Sequence, residues 1–156
     1  MTLTLSPFSF PLIAVVTFEQ FTGHCESVLA RIKKACIDCG RDPSAVRLLP
    51  VTKTHPVDAA LYAHRFGLRA VGENRVQEAI AKRPLAPADL RWELIGHLQS
   101  NKAKSALQVF DVIQSVDSAE LAARLGRIAQ ELNLKRDIYI QVNSVNDPEK
   151  FCFELS

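Results

Sequence analysis

The sequence predicts an α/β fold, and within that class a TIM-barrel-like (β/α)8 architecture of which about five strands are present. Helix-like and strand-like patterns alternate from residue 17 onward, which is typical of parallel strands joined by helical crossovers. The turn after the first strand contains no glycine, whereas a doubly wound nucleotide-binding sheet carries a glycine-rich turn there. A complete barrel needs eight strands and about 250 residues, so this interpretation implies that the chain, at 156 residues, is a truncated barrel.

Composition narrows the function classes and the compartment. Lys and Arg number 19 against 17 Asp and Glu, and this net charge of +2 argues against a nucleic-acid surface, which needs clustered surplus cations. Four cysteines are too few for a disulfide scaffold, which favours a reducing compartment. The apolar run from Pro7 to Phe18 is too short to cross a bilayer and lacks a signal-peptide cleavage site. We therefore expect a cytoplasmic protein without membrane association, with residues 1–16 as an N-terminal extension and residues 17–156 as one domain.

A helix and a strand begin the predicted domain. Between Thr17 and Cys39, apolar residues recur at steps of three and four, and Thr17 with Gln20 can form a capping box. Residues 46–51 form a short apolar run, as expected of a buried parallel strand. Pro50 is out of place in such a strand, because proline cannot donate a ladder hydrogen bond.

The later elements continue the alternation. Pro56 can occupy a first helical turn, where its missing N–H costs little, and Asn74 and Ser118 are suitable helix caps. The predicted order after the first strand is a helix over 56–66, a strand over 68–71, a helix from Asn74 through 81, a strand over 91–95, a helix from 100 or 101 through 107, a strand over 109–113, a helix after Ser118 and a strand over 137–142.

Sites in such folds lie at the carboxyl ends of the parallel strands, where this sequence places few reactive side chains. Lys53 ends the first strand and is expected on the same face as Val51. Burial on that face would lower the pKa of the lysine and free its amine to form a Schiff base with a carbonyl. The alternative is a strand-end lysine whose ammonium reaches water, which is the usual state of this residue. The pattern alone leaves both interpretations open.

Other polar residues at the strand ends also have two interpretations. His97 is either a general acid or base, or a loop histidine bonded to backbone. Asn74 either orients a ligand oxygen or simply caps the helix that follows. Lys102 and Lys104 either attract phosphate or belong to a solvated face. The Cys36–Cys39 pair ends a helix and has no second pair of ligands, so we predict neither a metal site nor a redox motif there.

Several motifs in a fixed order carry a resemblance to a known family. They are Val-Thr-Lys-Thr-His-Pro at 51–56, Val-Gly-Glu-Asn-Arg-Val-Gln-Glu at 71–78, Trp-Glu-Leu-Ile-Gly-His-Leu-Gln-Ser-Asn-Lys at 92–102, Gln-Ser-Val-Asp-Ser at 114–118 and Gln-Val-Asn at 141–143. In this series the chain closely resembles the pyridoxal-phosphate homeostasis protein family, also called the YggS or PROSC family, over about residues 18–153. That family is similar to the N-terminal barrel of alanine racemase.

The resemblance implies a fold-type III barrel with pyridoxal 5'-phosphate (PLP) as its cofactor. Residues 17–156 would then form an alanine-racemase-like barrel domain that is incomplete at its C-terminus. Lys53 matches the lysine that holds the cofactor as a Schiff base, and Asn74 matches the asparagine beside the cofactor. The remaining candidates for the cofactor site fall at matching strand ends and are His97, Ser115 and Asn143.

The resemblance also sets three functional hypotheses. The first hypothesis is a PLP-binding homeostasis protein, because family members are regarded as carriers or regulators of PLP without established turnover. The second is a racemase-like enzyme, which needs acid–base groups on both faces of a carbanion, yet neither Tyr62 nor Tyr139 lies at a predicted strand end. The third is a fragment with weak or no cofactor binding, because the family continues past residues 150–153, where Cys152 replaces a glycine. In that family, loops after the late strands of the barrel hold the cofactor phosphate. Such a fragment would expose sheet edges through which copies can self-associate.

Overall fold

The computed structural model describes residues 16–144 and 152–154, which belong to two compact units, residues 1–43 and 44–156. Of the predicted N-terminal extension, residues 1–16, only residue 16 is described. Residues 150 and 151 of the segment at 150–153, where Cys152 replaces a glycine, also fall outside the described residues. Within the described part, no helix combines the length and the apolar character needed to cross a bilayer.

The described residues of the first unit form one helix, α1 (Phe18–Asp38), as predicted. Its capping box is confirmed, since Gln20 N donates to Thr17 Oγ1 at 3.2 Å and Thr17 N donates to Gln20 Oε1 at 2.9 Å. Cys39 caps the other end, and its Sγ donates to Cys36 O at 3.4 Å. Across the described ranges, no group of three His, Cys, Asp or Glu side chains is placed to hold a metal ion.

The second unit alternates helices with parallel strands, which confirms the predicted α/β class. Short 3-10 helices lie at Pro43–Ala45, Arg83–Leu85 and Ser100–Lys102. The other elements in chain order are α2 (Asp58–Phe66), β1 (Ala70–Glu73), α3 (Val76–Lys82), β2 (Arg91–Leu94), α4 (Ala103–Val109), β3 (Val112–Val116), α5 (Ala119–Glu131), β4 (Asp137–Ile140), β5 (Val142–Asn143) and β6 (Phe153–Glu154).

Four strands form one parallel sheet in the order β1-β2-β3-β4, and β5 pairs in parallel with β6. In the register of the sheet, Gly72 lies opposite Glu93, and Glu93 lies opposite Val112. Neighbouring strands are consecutive in the sequence, so these four strands contain no point where the order reverses, unlike a doubly wound sheet. The four strands establish a parallel α/β sheet, which does not close into a barrel within the described residues.

The prediction of a strand at residues 46–51 is wrong, apart from a single β-bridge at Val51. Val51 pairs in parallel with Gly72, whose N–H donates to Pro50 O at 2.9 Å and whose carbonyl accepts from Thr52 N at 3.0 Å. The next ladder bond toward the start of the segment would need an N–H at residue 50, and proline has none. The segment therefore joins β1 only at its carboxyl end.

Strands β1 and β3 begin two and three residues later than the sequence predicts. Leu68 N donates to Ala63 O at 2.9 Å and so closes the end of α2, which delays β1. Phe110 N donates to Ala106 O at 2.8 Å, so Val109 still belongs to α4 and β3 starts later. In both places, hydrogen bonds that end a helix occupy residues whose apolar character suggested a strand.

The buried core lies along β1, β2 and β3. Trp92, Leu94 and Ile113 have no exposed surface. Trp92 N donates to Asp111 Oδ2 at 2.8 Å, and the guanidinium of Arg83 donates to both oxygens of the same carboxylate at 3.0 and 3.1 Å. Strand β4, in contrast, is exposed along its whole length. The well-packed part of the sheet therefore ends at β3.

Candidate functional site

The carboxyl ends of β1, β2 and β3 lie side by side at one edge of the sheet, because the strands are parallel neighbours. Asn74 directly follows β1, His97 lies three residues after the end of β2, and Ser115 lies near the end of β3. The turn that carries Lys53 comes directly after the bridge to β1. The structure therefore brings four of the five predicted site residues to this edge.

Lys53 lies in an exposed turn rather than on a buried strand face. Of the two interpretations that the sequence left open, the structure supports the lysine that reaches water, because pairing with β1 stops at Val51 and Thr52. Both sequence neighbours of Lys53 are constrained, since Thr52 is only 2% exposed and Thr54 has a φ of +63°. Within the described residues, Lys53 Nζ makes no hydrogen bond or ion pair, so its amine is open to a ligand.

A partly buried ion cluster contacts this turn, and its residues were not among the predicted site residues. It consists of Lys82, Glu73 and Glu78, and we call it the Lys82 cluster. Lys82 Nζ donates to Glu73 Oε1 at 2.7 Å, to Glu78 Oε2 at 3.4 Å and to Thr52 O at 3.0 Å. Glu73 has no exposed surface, so this ammonium balances a carboxylate that would be costly to bury alone.

The threonines beside Lys53 bond to the carboxylates of the Lys82 cluster. Thr52 Oγ1 donates to Glu73 Oε1 at 2.7 Å, and Thr54 N donates to Glu78 Oε2 at 2.9 Å. The bond from Thr54, followed by the hydrogen bond and charge of Lys82, holds the pKa of Glu78 below its ordinary value. The four-residue spacing of Glu78 and Lys82 on one helix is a signal that could have suggested part of the cluster.

Asn74 is not the helix cap that the sequence suggests, and that prediction is wrong. Helix α3 has Arg75 at its cap position, and no side chain makes a capping bond there. The backbone of Asn74 instead lies against Gly96, where a Cβ atom would sit 2.4 Å from Asn74 O. Glycine at 96 thus allows the loops after β1 and β2 to touch, and the ligand-orienting role of Asn74 stays a prediction.

His97 lines two depressions at this edge. One has a volume of about 280 Å³ and is also lined by Asn74, Arg75, Gln99 and Lys102. The other has a volume of about 430 Å³ and is also lined by Ser100, Asp117, Ser118 and Cys152. His97 Nδ1 lies 2.9 Å from Oδ2 of the largely buried Asp117. A carboxylate at this distance orients the imidazole ring, as it does in acid–base pairs of enzymes.

Ser115 and Asn143 do not line either of these depressions. Ser115 is buried, and its Oγ donates to Gly96 O at 2.6 Å, so it supports the loop after β2. Asn143 lies in β5, beyond the four-stranded sheet, where it pairs with Glu154 of β6. The structure thus joins Asn74 and His97 in one depression, while Ser115 bonds to the backbone of the loop after β2.

The sequence matches the family described as alanine racemase, N-terminal domain, over residues 30–146. The pyridoxal phosphate homeostasis protein of Pseudomonas aeruginosa is 40% identical over 124 residues, which cover 79% of this chain and 54% of that protein. The pyridoxal phosphate homeostasis protein of Aquifex aeolicus is 39% identical over 117 residues, or 74% of this chain and 51% of that protein. The chain spans about half the length of the curated relatives it matches.

Solved structures share the fold. PipY of Synechococcus elongatus without PLP is 44% identical and has a TM-score of 0.69, covering 78% of this chain and 58% of that chain. PipY with PLP bound is 45% identical and has a TM-score of 0.64, covering 74% and 56%. An alanine racemase of Clostridium difficile has a TM-score of 0.60 at 18% identity, covering 69% and 28%, and at that identity it supports the fold alone.

Proposed function

The chain belongs to the alanine racemase N-terminal domain family, and from this premise we propose that it binds PLP and serves in PLP homeostasis. The observation that carries the proposal is the open amine of Lys53 at the carboxyl edge of a parallel sheet. The similarity to two PLP homeostasis proteins, and to a PipY structure with PLP bound, supports the same role.

The side chains at this edge fit an aldehyde-bearing anionic cofactor. Lys53 supplies a primary amine, while Asn74 and His97 supply an amide and an imidazole in the smaller depression. Arg75 and Lys102 line the same depression, and their positive charges suit an anionic ligand. We propose that Lys53, Asn74 and His97 contact the cofactor, with Ser115 and Asn143 as further members of the site.

PLP supplies an aldehyde with which an amine condenses, so that a C=N bond forms and the aldehyde oxygen leaves as water. Lys53 provides the nitrogen of that Schiff base, and its ammonium must first lose a proton. In this proposal His97, oriented by Asp117, exchanges protons at the edge. Asn74 orients the bound molecule through its amide.

We also propose that the four strands and the bridge at Val51 form part of a fold-type III (β/α)8 barrel, with residues 17–156 in one barrel domain. The sequential order of four parallel strands supports this architecture. The exposed strand β4 supports self-association of copies through a sheet edge. The cytoplasm is the compartment that fits the proposed role.

The proposed function is tested by trapping the adduct. We expect PLP to stay on the protein through gel filtration, and borohydride followed by peptide mapping to place the label on Lys53. Lys53→Arg should abolish the label, whereas Lys104→Arg, at an exposed position of α4, should keep it. A label spread over surface lysines, or equal labelling of Lys53→Arg, would contradict the proposal.

In the racemase-like alternative, Lys53 would serve one face of a carbanion and a second acid–base group the other. Tyr62 lies within α2, and Tyr139 is the next-to-last residue of β4, the strand farthest from β1 in the sheet order. Loss of the α-proton signal of L-alanine in deuterated buffer would be the sign of this activity. We therefore propose the carrier role rather than turnover.

A further inference from the structure

The turn that carries Lys53 is fastened on both sides of that residue. On one side, Thr52 is bonded through its carbonyl to Lys82 and through its hydroxyl to Glu73. On the other side, the N–H of Thr54 is bonded to Glu78. The Lys53 side chain is thus exposed, while the residues on either side of it, Thr52 and Thr54, both bond to the Lys82 cluster.

The backbone of Thr54 adopts a conformation that is unfavourable in free energy. A φ of +63° places a β-branched residue in the left-handed region, which side chains of this kind rarely adopt. The Thr54 hydroxyl donates to Lys53 O at 2.6 Å, and its N–H reaches Glu78. Such a conformation persists only where surrounding bonds determine it, and strained backbone of this type is concentrated at functional sites.

The Lys82 cluster is more than a surface ion pair. The Lys82 side chain is 12% exposed and the Glu73 side chain 0%, while Glu78, at 24%, is the most accessible of the three. Surface ion pairs contribute little, whereas buried ones fix one geometry because each group lacks water as an alternative partner. The cluster therefore joins β1, α3 and the Lys53 turn in a single arrangement.

We propose that Lys82, Glu73 and Glu78 act as positioning residues, which hold the Thr52–Thr54 backbone so that Lys53 presents its amine to PLP. The inference rests on the proposed function and deepens it, since it names the groups that set the geometry of the same site. None of the three needs to touch the cofactor. Their effect passes through two backbone groups, the Thr52 carbonyl and the Thr54 N–H.

Glu78→Ala is the most informative variant, because it removes the tie to Thr54 while leaving the buried Glu73–Lys82 pair in place. Its matched control is Glu120→Ala, which also removes an acidic side chain from the first turn of a helix, in α5. Glu78→Gln is the rescue variant, because its amide oxygen can still accept from Thr54 N. Circular dichroism and thermal melting of each variant report whether the fold is intact.

Two readouts separate positioning from general stability. We expect Glu78→Ala to raise the PLP dissociation constant about tenfold or more, equal to about 1.4 kcal/mol, and to shift borohydride labelling away from Lys53. We also expect faster hydrogen exchange at the Thr54 amide in the protein without added PLP. Glu78→Gln should restore both readouts, and Glu120→Ala should change neither.

The outcomes distinguish a failure of this inference from a failure of the proposed function. If wild-type protein labels Lys53 and Glu78→Ala binds PLP equally well, the positioning role is overturned and the proposed function stands. If wild-type protein does not label Lys53, the proposed function fails, and unchanged hydrogen exchange at the Thr54 amide in Glu78→Ala then overturns the positioning role as well. Should Glu78→Ala not fold, Glu78→Asp keeps the charge but draws the carboxylate back by one methylene from the Thr54 N–H, and it must give the same loss of Lys53 labelling.

Discussion

Strands β1 to β3 and strand β4 belong to the same sheet, yet they use their apolar residues differently. Val71, Trp92 and Ile113 have no exposed surface, whereas Tyr139 and Ile140 of β4 are each 57% exposed. The first three strands are each followed by a helix, and these helices pack on one another, while β4 is followed by the short strand β5. An apolar pattern can therefore identify a strand without showing whether other described elements cover it.

The largest expected effect tests the buried side of this contrast. Trp92→Ala should lower the free energy of unfolding by about 3–5 kcal/mol, because a large fully buried side chain leaves a cavity. Tyr139→Ala, the aromatic counterpart in β4, should lower it by less than about 1 kcal/mol. Urea denaturation of the two variants measures both values. Equal losses would break the contrast between the strands.

An intermediate effect is expected where the loops after β1 and β2 touch. Gly96→Ala should lower the free energy of unfolding by about 1–3 kcal/mol, because the new Cβ would lie 2.4 Å from Asn74 O. Gly126→Ala in α5 is the control, since no atom lies within 4 Å of its Cβ position. We expect that control to be stabilising by up to about 1 kcal/mol, through helix propensity. Unchanged stability of Gly96→Ala would show that the two loops move apart at little cost.

The smallest effect on stability is expected at the exposed strand. Ile140→Lys should change the free energy of unfolding by no more than about 0.5 kcal/mol, while lowering self-association at high protein concentration. Gln130→Lys, at an exposed position of α5, adds the same charge elsewhere and should leave self-association unchanged. Sedimentation velocity over a concentration series distinguishes the two. A large loss of stability in Ile140→Lys would mean that β4 is packed in solution.

Helix positions could be predicted where a local signal defines them. The capping box of Thr17 and Gln20 and the Ser118 cap, whose Oγ accepts from Leu121 N, both depend on residues three apart. Strand boundaries could not, because they depend on hydrogen bonds between distant segments. Pro50 shows the point: the sequence flags the missing donor, but only the pairing with Gly72 shows where the ladder stops.

The candidate site likewise contains residues that the sequence could suggest and contacts that it could not. Lys53 and Asn74 are candidates through the family resemblance that several contiguous motifs carry together, and their place in the cofactor site stays a prediction. The sequence left the burial of Lys53 open between two interpretations, and the point at which pairing with β1 ends decides for exposure. The bonds of Lys82 to Glu73 and Thr52 could not be predicted from the sequence, because these partners are 9 and 30 residues away along the chain. Contacts of that kind exist only after the sheet has formed.

The left-handed Thr54 has a consequence for protein engineering. A designer who transplanted the tetrapeptide Val-Thr-Lys-Thr onto another scaffold would copy the nucleophile without the buried acids and lysine that force its backbone into an unfavourable shape. The transplanted segment would relax to an ordinary loop, and its lysine would react no more selectively than any other on the surface.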